Sequence, residues 1–295
     1  MILIQAPFLN LQAILDGLMI GAIFALVAYG MALAWGVMNI INIAQGEFVI
    51  LGGYITFMVY KLGFSPFFGA PLSFAFLFIL GFLLYKLIVH RVVDRDMFIS
   101  ILATFGISIM IRQIMNLIFG SQVETALTGL GTIFLFDHNI TIALVKFSSF
   151  VIAVAGALGV IYFMKTSKLG RAIRATAQNP RAARILGVDT EKVYAYTYAI
   201  NAAICGLAGS LVVMTYTIHP YMGLPYTVRS FMIVIVAGLG NLPGVAVSGM
   251  GLGVFEEFAD YILGTEFRIG SVFLLLVLIL VYRRFKLSRK REYLK

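Results

Sequence analysis

Two segments of this chain carry side chains able to do chemistry, and in both that chemistry is binding. In Gly36-Val-Met-Asn-Ile-Ile-Asn-Ile-Ala-Gln-Gly-Glu47, the residues Asn39, Asn42, Gln45 and Glu47 arrive together between two apolar runs. Amides offer a solute neutral donors and acceptors, and a carboxylate in hydrocarbon is costly enough to count as a functional candidate. Capping of a helix that starts near Gln45 explains Glu47 equally well. Thr104 and Ser108, one helical turn apart, add two hydroxyls, although back-bonding within their own helix is the plainer use. Asn39, Asn42, Gln45 and Thr104 are the expected substrate path.

The second segment runs from Thr166 to Asp189. Positions 165–192 hold seven Lys and Arg against two acids, Asp189 and Glu191. So basic a stretch between apolar runs belongs on the cytoplasmic side of a membrane. Asn179 is a good N-cap, Pro180 suits the first helical turn and Gly187 suits the residue after the last. Ala182, Ala183, Ile185 and Leu186 between them give a short helix with a small apolar face, and Arg181 and Arg184 lie beside it. The segment is expected to dock a partner, with a solvated loop that only sets topology as the alternative.

Catalysis has no such support. His90, His138 and His219 share no metal-ligand spacing, and no Ser/His/Asp set or paired carboxylates argue for catalysis. Glu256, Glu257 and Asp260 read as a wet helix end. There is no Gly-x-x-x-x-Gly-Lys-Ser/Thr phosphate loop, so no ATP hydrolysis is expected of this chain alone. No bound cofactor is expected either. Cys205, alone on an apolar helix, reads as a small core residue.

The elements that position these residues follow from composition. Hydrophobic residues make up 61% and charged residues 12% of 295, with a mean hydropathy of +0.99; a soluble domain would be nearer a quarter charged. Apolar runs of about 20 residues read as membrane helices, at about 10–35, 45–61, 67–88, 97–119, 141–163, 192–216, 227–240, 243–263 and 267–284. The expected fold is an all-α polytopic bundle of eight or nine spans, the short 227–240 being either a full crossing or a half-helix or re-entrant segment. Placing Lys86–Arg95, 165–192 and Arg283–Lys295 inside makes every crossing alternate, with the N-terminus outside and the C-terminus in the cytoplasm. Residues 120–140, with Glu124, Asp137 and His138, form the largest outside connection. The net charge of +9 then reflects orientation and anionic lipid, not nucleic acid. The start lacks the basic flank of a signal peptide, so the first span is expected to be retained. No linker divides the chain, which reads as one permease domain over 1–295, with 164–192 as docking loop and 283–295 as basic tail.

Small residues suggest close helix packing: Gly17/Gly21, Gly249/Gly253 and Gly240/Gly244 are each four apart, joined by Gly52-Gly53, Gly156/Gly159 and Gly206/Gly209. A second interruption, Gly238-Leu-Gly-Asn-Leu-Pro-Gly244, repeats the Gly-Xaa-Xaa-Asn of Gly36–Asn39. Paired interruptions point to pseudo-symmetric repeats and a transport path; two turns at the inner surface are the alternative. Arg112 lies towards the outer end of its helix, where snorkelling to headgroups is the simpler account.

Gly170-Arg-Ala-Ile-Arg-Ala-Thr-Ala-Gln-Asn-Pro-Arg-Ala-Ala-Arg-Ile-Leu-Gly187 resembles the ATPase-docking loop of ABC importer permeases. Its Ala182-Ala183-x-x-x-Gly187 is similar to the core of their Glu-Ala-Ala-x-x-x-Gly motif, with Arg181 in place of the Glu. The run from Gly36 to Phe48 and Ala237-Gly-Leu-Gly-Asn-Leu-Pro-Gly244 resemble the branched-chain amino acid permeases of LivH type. The resemblance implies a docking face over Asn179–Arg184, Leu186 and Gly187, where Ala182, Ala183 and Leu186 fill a groove. It also implies a second, LivM-like permease, two cytoplasmic ATPases that use ATP and Mg, and a periplasmic binding protein delivering leucine, isoleucine or valine to the inner membrane. The superfamily also holds urea, short-chain amide and sugar permeases. A secondary transporter or a passive channel is the rival of another class.

Overall fold

A computed structural model describes residues 7–93, 95–135 and 140–292. Eleven α-helices are present among them: α1 (Pro7–Met38), α2 (Gln45–Lys61), α3 (Gly69–Leu87), α4 (Met97–Phe119), α5 (Leu144–Thr166), α6 (Lys168–Gln178), α7 (Pro180–Ile185), α8 (Thr190–Thr215), α9 (Gly223–Ala237), α10 (Leu242–Leu263) and α11 (Arg268–Glu292). A two-stranded antiparallel hairpin, β1 (Thr132–Leu135) with β2 (Ile140–Ala143), precedes α5. Six helices are long and apolar enough to cross a membrane: α1, α3, α4, α5, α8 and α9 with its preceding 3-10 turn at Pro220. Of the expected outside connection, Asp137 and His138 lie outside the described residues, as do the first six residues and the last three of the basic tail.

α1 and α8 form the centre and are nearly fully buried, whereas α4 and α5 turn most of their surface outward. An apolar helix without a polar stripe has no preferred wet side, so small residues decide what packs where. The expected pairs Gly17/Gly21 and Gly249/Gly253 face one another across α1 and α10. A Cβ on Gly253 would strike the Gly17 carbonyl and Gly21, and one on Gly249 would strike Ala25. Gly240 and Gly244 do not behave this way. Gly240 takes φ +81° in the turn before α10, and Gly244 sits against the capping Asn241.

A repeat joins α2–α3 to α8–α9. Pro66-Phe-Phe-Gly-Ala-Pro71 and Pro220-Tyr-Met-Gly-Leu-Pro225 each form a 3-10 turn that starts the next helix at Gly69 or Gly223. With the same offset, Gly52 matches Gly206 and Thr56 matches Ser210. These equivalent residues touch one another: a Cβ on Gly52 would strike the Gly206 backbone, and Thr56 Oγ1 lies 2.8 Å from Ser210 Oγ. Each hydroxyl also bonds back four residues, to Gly52 or Gly206. Self-equivalent contacts on two successive turns require α2 and α8 to run side by side in the same direction. This is the parallel kind of repeat, its axis along the helices. The Gly-Xaa-Xaa-Asn match between Gly36–Asn39 and Gly238–Asn241 does not mark it, because the first lies before α2 and the second after α9.

Candidate functional site

The break between α1 and α2 is built at depth. Gln45 donates from Nε2 to the Val27 carbonyl at 2.9 Å, eleven residues before α1 ends at Met38, a rise of roughly 16 Å. Residues 39–44 therefore climb back into the bundle, and α2 begins well inside it. Irregular backbone is tolerated at such depth only where the protein satisfies its polar groups. Here three neighbouring helices do so. Ile43 N–H donates to Thr104 Oγ1 of α4 at 3.2 Å, and Thr227 of α9 donates to the Ile43 carbonyl at 3.0 Å. Thr227 Oγ1 also accepts from Gly46 N–H at 2.9 Å. The single Thr104 proton has the Ser100 carbonyl at 2.9 Å and the Ile41 carbonyl at 3.1 Å within reach. Asn42 Oδ1 accepts from Ala44 N–H at 3.2 Å and from the Tyr198 hydroxyl of α8 at 3.4 Å.

Of the four expected path residues, Asn42, Gln45 and Thr104 are thus fully buried and spend their polar atoms on the return segment. Asn39 is exposed and takes φ 53°, a left-handed conformation that Asn tolerates better than most residues. Cys205, expected as inert core, is fully buried with Gln45 Nε2 at 3.0 Å from its Sγ.

Glu47 does not act as a helix cap, since no side chain caps α2. Its buried Oε1 accepts from Arg112 of α4, with Nε at 3.2 Å and Nη2 closer still. Arg112 therefore does not snorkel to headgroups; a buried carboxylate within reach outcompetes them. The carboxylate lies against Gly223, where a Cβ would collide with it, so α2 and α9 start beside one another with Glu47 between them.

A second ionic centre replaces the expected wet helix end at 256–260. Glu256 is fully buried, accepting from Arg229 Nε at 2.7 Å and Nη2 at 3.0 Å, and from Arg268 Nε at 3.1 Å. Arg268 also reaches Glu257 at 2.9 Å, and the Arg229 guanidinium lies 4.9 Å above the Phe24 ring. One signal could have found both centres: Arg112 and Arg229 are the only charges in α4 and α9, and a lone charge at membrane depth calls for a partner.

The basic segment folds into α6 and α7. Asn179 Oδ1 accepts from the N–H groups of Arg181 and Ala182, both at 3.0 Å; Pro180 opens α7 and Gly187 closes it at φ +84°. The amphipathic α6 buries Gly170, Ile173 and Thr176 and turns Arg171 and Arg174 outward. In α7, Arg181, Ala182 and Arg184 are exposed, but Ala183 is 3% exposed and faces inward. Ile185 and Leu186 stand out at 85% and 83% exposed. Arg184 Nε is fixed by Thr190 Oγ1 at 2.6 Å. Asp189 caps α8 and pairs with Lys192 at 2.9 Å, and these bonds hold its carboxyl below the usual carboxylate range. No cluster of His, Cys, Asp or Glu able to hold a metal occurs among the described residues.

The chain is similar to the LivH high-affinity branched-chain amino acid permease protein of Salmonella typhimurium, at 30% identity over 92% of each chain. It is 28% identical to the BraD permease protein of Pseudomonas aeruginosa, over 92% of this chain and 94% of that one. A probable LivH permease of Methanocaldococcus jannaschii is also 28% identical, over 88% and 84%. Residues 13–282 match the family model described as branched-chain amino acid transport system / permease component, and the chain belongs to that family.

Proposed function

We propose that this chain is a permease subunit of an ATP-driven importer that carries branched-chain amino acids across the cytoplasmic membrane. Family membership supports a transport subunit. The observation that carries ATP coupling is α7: a capped helix on a basic segment, with two large apolar side chains held out where nothing among the described residues covers them. One of two cytoplasmic ATPases would seat on Ile185 and Leu186 of this chain, with Ala182, Arg181 and Arg184 beside them, and the other on the second permease. Asn179, Pro180 and Gly187 fix the ends of that helix, and Ala183 anchors it. A second permease and a periplasmic binding protein complete the machine. In this reading α2, α10 and α11 join the six long apolar helices in nine alternating crossings, with α6 and α7 in the cytoplasm. Asn42, Gln45 and Thr104 hold the return segment as one wall of the path, and Asn39 is its open polar group.

The test is vanadate-sensitive ATPase activity of the chain with its co-purifying subunits in liposomes. Stimulation by a leucine-loaded binding protein is expected. Stimulation by a urea- or ribose-loaded protein alone would change the cargo, and transport without any ATPase would overturn the reading in favour of a channel or secondary transporter. Replacing Ile185 and Leu186 together by Asp is expected to abolish ATPase association while membrane insertion persists.

A further inference from the structure

One membrane-depth feature belongs neither to the return segment nor to the docking helix. Between α3 and α5 the bundle leaves a groove of about 480 Å³, floored by α8 and by Leu26 of α1. Phe74 and Phe78 form one wall, and Gly156, Gly159 and Phe163 the other. A Cβ on Gly159 would meet nothing, so this glycine widens the groove instead of letting a helix approach. An apolar space of this kind does not hold water. At membrane depth its natural filling is hydrocarbon.

The end of the groove nearest the basic segment supplies the other half of the ligand. Tyr196 is shared with a second cavity, of about 560 Å³, whose mixed lining brings in charged and polar groups: Lys86 in the last turn of α3, His90 just after it, and Asp189, Glu191 and Lys192 from the start of α8. Lys192 is taken by Asp189. Lys86 lies 4.8 Å above the Phe82 ring and has no acidic partner among the described residues, and Glu191 has no basic one. The mouth therefore offers one uncommitted cation and one uncommitted anion beside an acyl-sized groove.

We infer that this groove and its mouth bind a phospholipid with a primary-ammonium headgroup. Its acyl chain lies along Gly156 and Gly159, its phosphate at Lys86 and its ammonium at Glu191. A headgroup of net negative charge meets Glu191 unfavourably, which makes phosphatidylethanolamine the fitting class over phosphatidylglycerol. The two ends act together, because the groove holds the chain at the depth that brings the headgroup to the mouth.

Native mass spectrometry tests this on the chain purified from membranes with its co-purifying subunits, washed in detergent and then offered each lipid. Retention of phosphatidylethanolamine over phosphatidylglycerol by about tenfold is expected. Gly159→Phe should remove both lipids by filling the groove, while Val151→Phe, on the outward face of the same helix, should remove neither. Lys86→Gln with Glu191→Gln, both at exposed positions, should erase the preference without disturbing the fold, which keeps the test informative if Gly159→Phe fails to assemble. Equal retention of the two lipids would overturn the headgroup assignment. Loss of all lipid from the unaltered protein would overturn the site. A photo-cross-link from a benzophenone side chain placed at position 159 to a neighbouring permease would overturn the lipid site by giving the groove to a protein helix instead.

Discussion

Gly36–Asn39 and Gly238–Asn241 share a spelling and meet opposite fates. After the first, the chain climbs back into the bundle and its polar groups are bonded by α4, α8 and α9. After the second it makes an exposed turn, in which Gly238 and Gly240 take φ +85° and +81° and Asn241 caps α10 through Gly244 N–H at 3.1 Å. The difference lies downstream. Asn42, Gln45 and Glu47 follow the first break and can replace a helix's own hydrogen bonds, whereas Leu242 and Pro243 follow the second and can only restart one. A helix interruption near a membrane thus becomes a buried junction when the next residues bring polar side chains, and a surface turn when they do not.

The sharpest way to break this contrast is at Glu47. Removing one partner of a buried ion pair leaves an uncompensated charge, at a cost of about 3–5 kcal/mol. Glu47→Ala should therefore lower the thermal midpoint in detergent more than any change in the 238–241 turn. Glu47→Ala with Arg112→Met should recover most of that loss, because the stranded guanidinium goes too. Equal destabilisation of the single and double variants would show that the pair does not hold α2 to α4.

Asn42→Ala comes next. It strips Ala44 N–H and the Tyr198 hydroxyl of a buried acceptor, costing about 1–3 kcal/mol. Asn241→Ala removes an exposed N-cap worth about 1 kcal/mol. If Asn241→Ala proved the more damaging, the second interruption would be the structural junction and the contrast would be reversed.

Where local structure could be read from the sequence, local chemistry and tertiary outcome agree. The ends of α7 follow from Asn179, Pro180 and Gly187 because capping is decided within a few residues. Gly17/Gly21 and Gly249/Gly253 announce a close approach because no side chain stands in the way. Which charge pairs with which was not legible. Arg112 is 65 residues from Glu47, and Arg229 is 27 from Glu256; only the rotation of four helices brings them together. Ala183 failed for a related reason: a six-residue helix has too few turns for its pattern to say which face is covered. The repeat is legible as Pro-aromatic-Xaa-Gly-Xaa-Pro at 66–71 and 220–225, whereas the two Gly-Xaa-Xaa-Asn runs lie on opposite sides of it.

The smallest effect separates the surface ends of the bundle from its core. Asp189 caps α8 at the exposed start of a buried helix, and Lys192 holds its carboxyl below the usual range. A carboxyl whose folded pKa is depressed contributes stability above its unfolded pKa of about 3.9, and that contribution fades as pH falls through the lower folded value. Asp189→Asn keeps a capping oxygen and loses the charge. Its thermal midpoint should sit slightly below that of the unaltered protein at neutral pH, and the two should converge below about pH 3.9. Midpoints of the Asp189 and Glu47 variants measured side by side at neutral pH compare a solvent-screened cap with a buried pair directly. A gap at Asp189 that persisted into acid would assign its role to packing, and would remove the electrostatic distinction between the start of α8 and the start of α2.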